Sequence, residues 1–281
     1  MALPFDFAFE GFRIIRERPR LILIWGAVAL VGNGLMLAVV IHLAGPVLAQ
    51  LMPLMADRTT AEDPATVELA SKILPAMAAY AAMELVLGAV LATAAARAAL
   101  MPGDDRLGYL RLGLDELRML IVHSFMLFMS LFLLLAGAAI GSIGGTAGAA
   151  TGMFAAFGVI LSLRIRLSLN GPQSFDRKTI DLFSSFALTR AEVWRLILGY
   201  LMAAALAFVV WYLCGKVIEA IVVLTFGTPG MPDPSSLQAY FTPANAAITV
   251  LSGAIVAPLL AAIVYGAPAA AYRALKPSGP A

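Results

Sequence analysis

Long apolar runs separated by short polar segments are the main pattern of this 281-residue chain. A helix that crosses a hydrocarbon core of about 30 Å needs about 20 mostly apolar residues. Six runs have this length, approximately Leu21–Leu43, Ile73–Arg97, Met119–Ile140, Ala147–Leu169, Leu196–Gly227 and Ala246–Arg273. The pattern therefore predicts an all-α, polytopic membrane protein with six transmembrane helices, in which residues 1–281 form a single transmembrane domain.

Composition supports this prediction and narrows the chemistry. The chain is 61% hydrophobic and 13% charged, whereas soluble domains carry about 25% charged residues. The net charge of +2 and the scattered basic residues do not indicate a nucleic-acid partner. Cys214 is the only cysteine, and His42 and His123 fall at opposite ends of their spans. We therefore expect no disulfide, no metal site and no cofactor.

Lysine and arginine predict the orientation of the spans. If the N-terminus is cytoplasmic, the inner segments hold sixteen of the basic residues and the outer segments hold three, Arg58, Lys72 and Lys216. Cytoplasmic loops are enriched in such residues, so both termini are predicted to lie inside. The lipid bilayer of the bacterial inner membrane is the expected surrounding.

A polar and aromatic segment, Phe175–Arg195, lies between two apolar runs at this inner side. Within it, Thr189 and Glu192 have the spacing of a helix capping box, which predicts that a helix begins near Thr189. Acidic residues followed closely by arginine also occur at Leu112–Arg118 and Phe9–Arg13. The charged phenylalanine-rich segment that begins at Phe5 predicts a short amphipathic helix in the membrane interface.

The inner ends of the even-numbered spans resemble one another. Arg97, Arg166 and Arg273 are each followed by leucine and then by proline and glycine, which end helices. The acidic and arginine residues that precede the odd-numbered spans also resemble one another. Together these similarities indicate a threefold repeat, in which each copy has an interfacial helix, an outward span and an inward span. The alternative is that arginine and proline are common at the cytoplasmic end of any span, in which case the similarity does not indicate a repeat.

Glycines surround the short turn between the third and fourth spans. Gly137, Gly141 and Gly145 recur every four residues, as do Gly148 and Gly152. Small residues at this spacing allow helices to approach closely in lipid, so we expect a tight hairpin. A glycine-lined passage is the alternative.

Glu84 is the main candidate for chemistry inside the membrane. It lies near the middle of the second span, where an acid is costly and suggests a functional site. Asn33 lies at a similar depth on the first span, and Pro258 interrupts the sixth. These three residues predict a transport site at the midplane. The structural alternative is that Glu84 hydrogen-bonds to Asn33 and only joins two helices.

The entry Phe5–Arg13, the boundaries Leu112–Leu120 and Leu188–Leu196, and the six-span layout resemble a loosely defined group of bacterial inner-membrane proteins. That group is related to the membrane domain attached to some glycerophosphodiester phosphodiesterases. The resemblance implies a multi-pass membrane protein. No catalytic residue is carried over from the group.

Polar sequence is concentrated at the cytoplasmic boundary, whereas the spans hold few ionisable groups. We therefore expect a non-enzymatic membrane scaffold or accessory subunit with a cytoplasmic interaction surface. The expected surface residues are Phe183, Arg190, Glu192, Trp194 and Arg195. A small-solute or lipid transporter built around Glu84 is the alternative, and an intramembrane enzyme is the third.

Overall fold

The computed structural model describes residues 3–56, 63–103 and 106–276, and these residues are helical without any strand. The predicted outer-loop charge Arg58 lies outside the described residues. The α-helices are α1 Glu10–Glu17, α2 Arg20–Ala56, α3 Pro64–Ser71, α4 Leu74–Leu100, α5 Leu114–Gly141, α6 Gly145–Arg166, α7 Asn170–Arg177, α8 Ser185–Thr189, α9 Val193–Phe226, α10 Leu237–Tyr240, α11 Pro243–Leu251 and α12 Ala257–Leu275.

Five segments of the described chain are long and apolar enough to cross a membrane, which indicates a membrane protein. They are Arg20–Leu54, Pro64–Leu100, Leu107–Arg177, Val193–Phe226 and Pro243–Leu275. The third segment, at 71 residues, contains both α5 and α6. The all-helical class is confirmed.

Several predicted boundaries shift. The first predicted span ends at Leu43, but α2 continues to Ala56 through Pro46 and Pro53. Proline can occur inside apolar helices where neighbouring groups satisfy the freed backbone carbonyls, so Pro46 did not mark the end.

The chain folds into two compact units, each assembled from segments that are distant in sequence. Unit 1 comprises Met1–Arg18, Gly88–Ala207 and Ala261–Ala281, and unit 2 comprises Pro19–Leu87 and Phe208–Leu260, each considered only for its described residues. A core cluster of unit 1 contains alanines of α4 and α12 together with Met119 and Phe175. A core cluster of unit 2 joins Ile218 and Val222 to Ala244 and Val256.

The amphipathic N-terminal segment is a 3-10 helix, Phe5–Phe9, that leads into α1. Phe5, Phe9 and Phe12 are exposed, as the interfacial prediction requires. Phe7 is buried instead, with its ring 5.6 Å from that of Tyr200 in an edge-on contact. The segment is therefore anchored to unit 1 through one ring and exposes the others.

The α5–α6 hairpin is packed backbone to backbone within unit 1. A Cβ atom added at Gly141 would lie only 3.0 Å from the Cα of Ala149, and one at Gly137 would meet the Cβ of Ala156. Side chains at these positions would therefore separate the helices. The structure confirms the predicted close packing of this hairpin.

Candidate functional site

The segment that links α6 to α9 is organised around buried polar side chains in unit 1. Asn170, Gln173 and Ser174 of α7 have no exposed surface. The side chain of Asn170 bonds to the Ser185 hydroxyl, with 2.5 Å between the two oxygens. Such groups are costly to bury unless they are hydrogen-bonded, so these contacts fix the course of the chain.

The turn between α7 and α8 is closed by Asp181. Its carboxylate accepts a hydrogen bond from the Ser184 backbone N–H at 3.0 Å and another from Arg177 at 3.2 Å. The Ser184 hydroxyl also donates to Asp181 and accepts from Gln173. The hydrogen bond from the Ser184 hydroxyl is the main cause that lowers the pKa of Asp181, so this turn is stabilised by an ionised carboxylate.

The predicted capping box at Thr189 is wrong. Thr189 ends α8, and the next helix begins at Val193. The Thr189 hydroxyl donates to the carbonyls of Ser185, at 2.9 Å, and Arg166, at 3.1 Å, instead of accepting from a free N–H. Ser185 donates to the same Arg166 carbonyl at 3.0 Å. The two hydroxyls therefore satisfy a carbonyl at the end of α6 rather than start a helix.

The residues of the predicted interaction surface lie on both sides of α8, whose Ser185 and Thr189 form these hydrogen bonds. Phe183 is 59% exposed and Trp194 is 77% exposed, and Arg190 is exposed as well. Glu192 and Arg195 differ from these three because they pair with each other at 3.1 Å. Large aromatic rings and a cation are thus displayed from a segment that buried hydrogen bonds hold in place.

Phe183 has an additional support. Its ring stands edge-on to that of Phe125 on α5, with 5.5 Å between the ring centroids. Aromatic pairs of this geometry contribute about 0.5–1.5 kcal/mol beyond their buried area. The contact fixes the side chain while more than half of it stays exposed. We refer to Phe183, Arg190, Glu192, Trp194 and Arg195 together as the Phe183–Arg195 surface.

Two ion pairs of buried carboxylates were not predicted from the sequence. Arg97, near the end of α4, pairs with Glu116 of α5 at 2.5 Å, and both side chains are less than 10% exposed. Arg273 of α12 pairs at 3.2 Å with Glu10, which is 3% exposed. Burial alone raises the pKa of Glu10, but hydrogen bonds and charges from Arg13 and Arg273 outweigh it, so the pKa is lowered overall.

A further group of charges surrounds the Arg97 pair. Asp115 accepts hydrogen bonds from Lys178 at 2.9 Å and from Arg97 at 3.4 Å. The ring of Phe175 lies beneath both cations, 4.2 Å from the Lys178 nitrogen and 5.7 Å from the Arg97 guanidinium. Favourable cation–π contacts therefore add to the ion pairs. The sequence signal for this group is the acidic pair Asp115-Glu116 that follows Arg97 after a short turn.

The predicted midplane residues all belong to unit 2. Glu84 is exposed, and no hydrogen bond or ion pair joins it to Asn33, although both residues are described. Pro258 is buried and follows a π-helical turn, Ser252–Val256. A Cβ atom at Gly26 would be 3.1 Å from the carbonyl carbon of Ala254, so α2 approaches this turn about two helical turns from Asn33.

Among the residues in 3–56, 63–103 and 106–276, no group of three His, Cys, Asp or Glu side chains is placed to hold a metal ion. No family model matches the chain, and no curated protein or solved structure with which it was compared matches it either. The resemblance to the six-span inner-membrane group therefore stays a prediction.

Proposed function

We propose that this protein is a non-enzymatic, multi-pass protein of the bacterial inner membrane that acts as a scaffold or accessory subunit. In this proposal it binds a protein partner through the Phe183–Arg195 surface at the cytoplasmic face. The observation that supports it best is the combination of exposed Phe183, Arg190 and Trp194 with a backbone pinned at Ser185 and Thr189. Aromatic and arginine side chains in a preorganised position are the groups that contribute most to protein interfaces.

The proposal includes six membrane crossings with both termini inside. The segment Leu107–Arg177 then crosses twice, because α5 and α6 have 28 and 22 residues. At 1.5 Å per residue these helices are about 42 and 33 Å long, enough for each to span the hydrocarbon core. The uneven distribution of lysine and arginine supports the orientation.

We also propose that the chain is a threefold repeat, and the ion pairs of Glu116 and Glu10 support this. Arg97 closes the first predicted repeat and pairs with Glu116 at the entry of the second. Arg273 closes the third and pairs with Glu10 at the entry of the first. The equivalent residues at the remaining boundary are Arg166 and Glu192. Both are described and no ion pair joins them; Arg166 instead lies 6.0 Å from the Phe186 ring.

A paired set of variants tests the interaction surface. We expect the double variant Phe183→Ala, Trp194→Ala to co-purify with at least tenfold less of a stoichiometric partner than the wild type does, because exposed aromatic anchors dominate such interfaces. Native mass spectrometry of the purified complex measures the amount of bound partner. The matched control is Phe208→Ala with Trp211→Ala, since these side chains on α9 are 61% and 53% exposed. The control should retain the partner.

Two results would contradict the scaffold proposal. One is that wild-type protein purified from its native membrane carries no stoichiometric partner. The other is that the Phe183 and Trp194 variant retains a partner that the control variant loses.

A transporter is the second candidate because of Glu84. This acid lies on an apolar helix, is exposed, and has no ion-pair partner in the part of the chain that the structure describes. Unpaired acids in spans mark ion or substrate pathways by default. Proteoliposomes that take up protons with the wild type but not with Glu84→Gln would favour this candidate over the scaffold.

A further inference from the structure

Unit 1 contains a cavity of about 220 Å³ that the proposed function does not use. It is bounded by α5, α6, α7 and α12 and by one residue of α4. Its lining is mainly apolar, with four polar or aromatic exceptions: His123, Arg164, Ser168 and Tyr265. Binding pockets for small molecules usually have this character, an apolar wall with a few placed polar groups.

Arg164 is the unusual member of this lining. Its guanidinium is exposed, and its hydrogen-bond partner is the Ser130 hydroxyl at 3.3 Å. Six arginines of unit 1 pair with carboxylates, namely Arg13, Arg97, Arg118, Arg177, Arg195 and Arg273, whereas Arg16, Arg166 and Arg190 have no carboxylate partner among the described residues. No carboxylate pairs with Arg164 in the described chain. An arginine of the lining without a carboxylate partner is free to pair with the phosphate of an anionic ligand, for which its guanidinium has the matching geometry.

The remaining polar groups of the lining are held by contacts within the protein. The ring of His123 stacks on that of Tyr265, with 6.0 Å between centroids. A Cβ atom at Gly88 would lie 3.0 Å from the Tyr265 hydroxyl and 4.0 Å from His123 Nδ1. Glycine at this position therefore leaves room for both rings. Ser168 accepts a hydrogen bond from Tyr200 at 2.8 Å and donates one to the Ile165 carbonyl at 2.8 Å, so its hydroxyl is held in place within the protein.

The helix that carries Arg164, α6, and its neighbour α5 expose apolar side chains. Phe128 and Phe132 of α5 are 64% and 70% exposed, and Phe157 and Leu161 of α6 are 61% and 51% exposed. Such surface suits the acyl chains of a lipid, whereas a free inorganic ion would not use it. The residues that line the cavity include no Asp or Glu. A headgroup with an ammonium ion would therefore find no partner there.

We propose that this cavity binds the phosphodiester of an anionic phospholipid, with Arg164 pairing to the phosphate and the acyl chains lying along α5 and α6. The cavity volume of about 220 Å³ agrees with this ligand. Sites that enclose a whole drug-sized molecule typically have about 300–1,000 Å³, so this cavity has room for the headgroup phosphate while most of the lipid stays outside. The inference is independent of the protein partner proposed above, and each can fail without the other.

The test is a titration of delipidated, full-length protein with palmitoyl-oleoyl phosphatidylglycerol, followed by native mass spectrometry. We expect Arg164→Gln to weaken binding about tenfold, since a charge-assisted hydrogen bond to phosphate is lost. Arg16→Gln is the matched control, because Arg16 is also exposed and has no carboxylate partner in the described chain. The control should change the affinity less than twofold. Palmitoyl-oleoyl phosphatidylcholine should bind at least tenfold more weakly to the wild type.

Met126 also lines the cavity, and Met126→Trp provides a second variant. It keeps the charge of Arg164 but fills the cavity, so it should weaken phosphatidylglycerol binding as well. Wild-type protein that binds both lipids equally would overturn the inference, even if neither variant folds. Equal binding by wild type and Arg164→Gln would do the same. Displacement of the lipid by equimolar inorganic phosphate would show that the site recognises a free anion and would refute the lipid assignment.

Discussion

The two units of the chain differ in how many polar side chains are buried between their apolar helices. In unit 1, nine polar or charged side chains are buried, against Thr66 and Asn245 in unit 2, among the residues that the structure describes. Both units also bring backbones together at glycine: a Cβ atom at Gly141 in unit 1 would lie 3.0 Å from the Cα of Ala149, and one at Gly253 in unit 2 would lie 3.2 Å from the Cα of Leu30. Hydrogen bonds and ion pairs between buried polar groups therefore add to close helix packing in unit 1, whereas unit 2 depends mainly on the close packing itself.

The Arg97–Glu116 pair offers the strongest way to break this contrast. We expect Arg97→Ala to lower the free energy of unfolding by about 3–5 kcal/mol, because it leaves the Glu116 carboxylate buried without its partner. Lys216→Ala is the control, since the Lys216–Glu219 pair is more than half exposed on both sides. The control should show no measurable change.

Denaturant unfolding in detergent, followed by tryptophan fluorescence, measures both Arg97 and Lys216 variants. If Arg97→Ala were as stable as the control, the buried ion pair would not determine the stability of unit 1.

Gly26 provides the corresponding test in unit 2. Gly26→Ala places a methyl group against the Ala254 carbonyl and should lower the free energy of unfolding by about 1–3 kcal/mol through overpacking. Gly34→Ala on the same helix meets no atom within 4 Å. That substitution should be neutral or should stabilise by up to about 1 kcal/mol, since alanine is the better helix former.

Thermal unfolding of the two glycine variants measures this difference. Equal midpoints for Gly26→Ala and Gly34→Ala would show that the close approach at Gly26 is not needed.

The smallest expected effect is a pH dependence at Glu10. Its pKa is lowered in the folded protein by Arg13 and Arg273 in spite of its burial, so its contribution to stability is present above the ordinary value of 4.5 and is lost as the pH falls below it. Melting temperatures measured between pH 6 and pH 3 should fall more steeply for the wild type than for Glu10→Gln. Parallel curves would show that this pair contributes nothing to acid sensitivity.

The sequence predicts the helices well because their apolar runs are long. It also identifies Phe175–Arg195 as a polar segment at one end of the spans. The contacts within that segment could not be predicted. Ser185 and Thr189 are residue types that are common in exposed turns, and only the fold brings the Arg166 carbonyl beside their hydroxyls. Thr189 illustrates this most clearly, since its spacing to Glu192 fits a capping box that the structure does not form.

Arg164 and the Glu10–Arg273 ion pair also could not be identified from local sequence patterns. In the sequence Arg164 resembles any other arginine at a predicted inner boundary, and only the fold shows that it bonds to Ser130 of α5. The Glu10–Arg273 pair joins residues at opposite ends of the chain, so no local pattern could reveal it. The Lys216–Glu219 pair differs from these two, because its residues are three positions apart on one helix and a local pattern is enough to suggest it.

The account depends most on the Phe183–Arg195 surface facing the cytoplasm, and cysteine labelling tests this directly. In a Cys214→Ser background, Phe183→Cys and Met231→Cys provide two probes, because Phe183 is 59% and Met231 90% exposed. A membrane-impermeant maleimide should label position 183 only in inside-out vesicles and position 231 only in intact spheroplasts. Labelling of position 183 in intact spheroplasts would contradict the orientation and the proposed interaction surface.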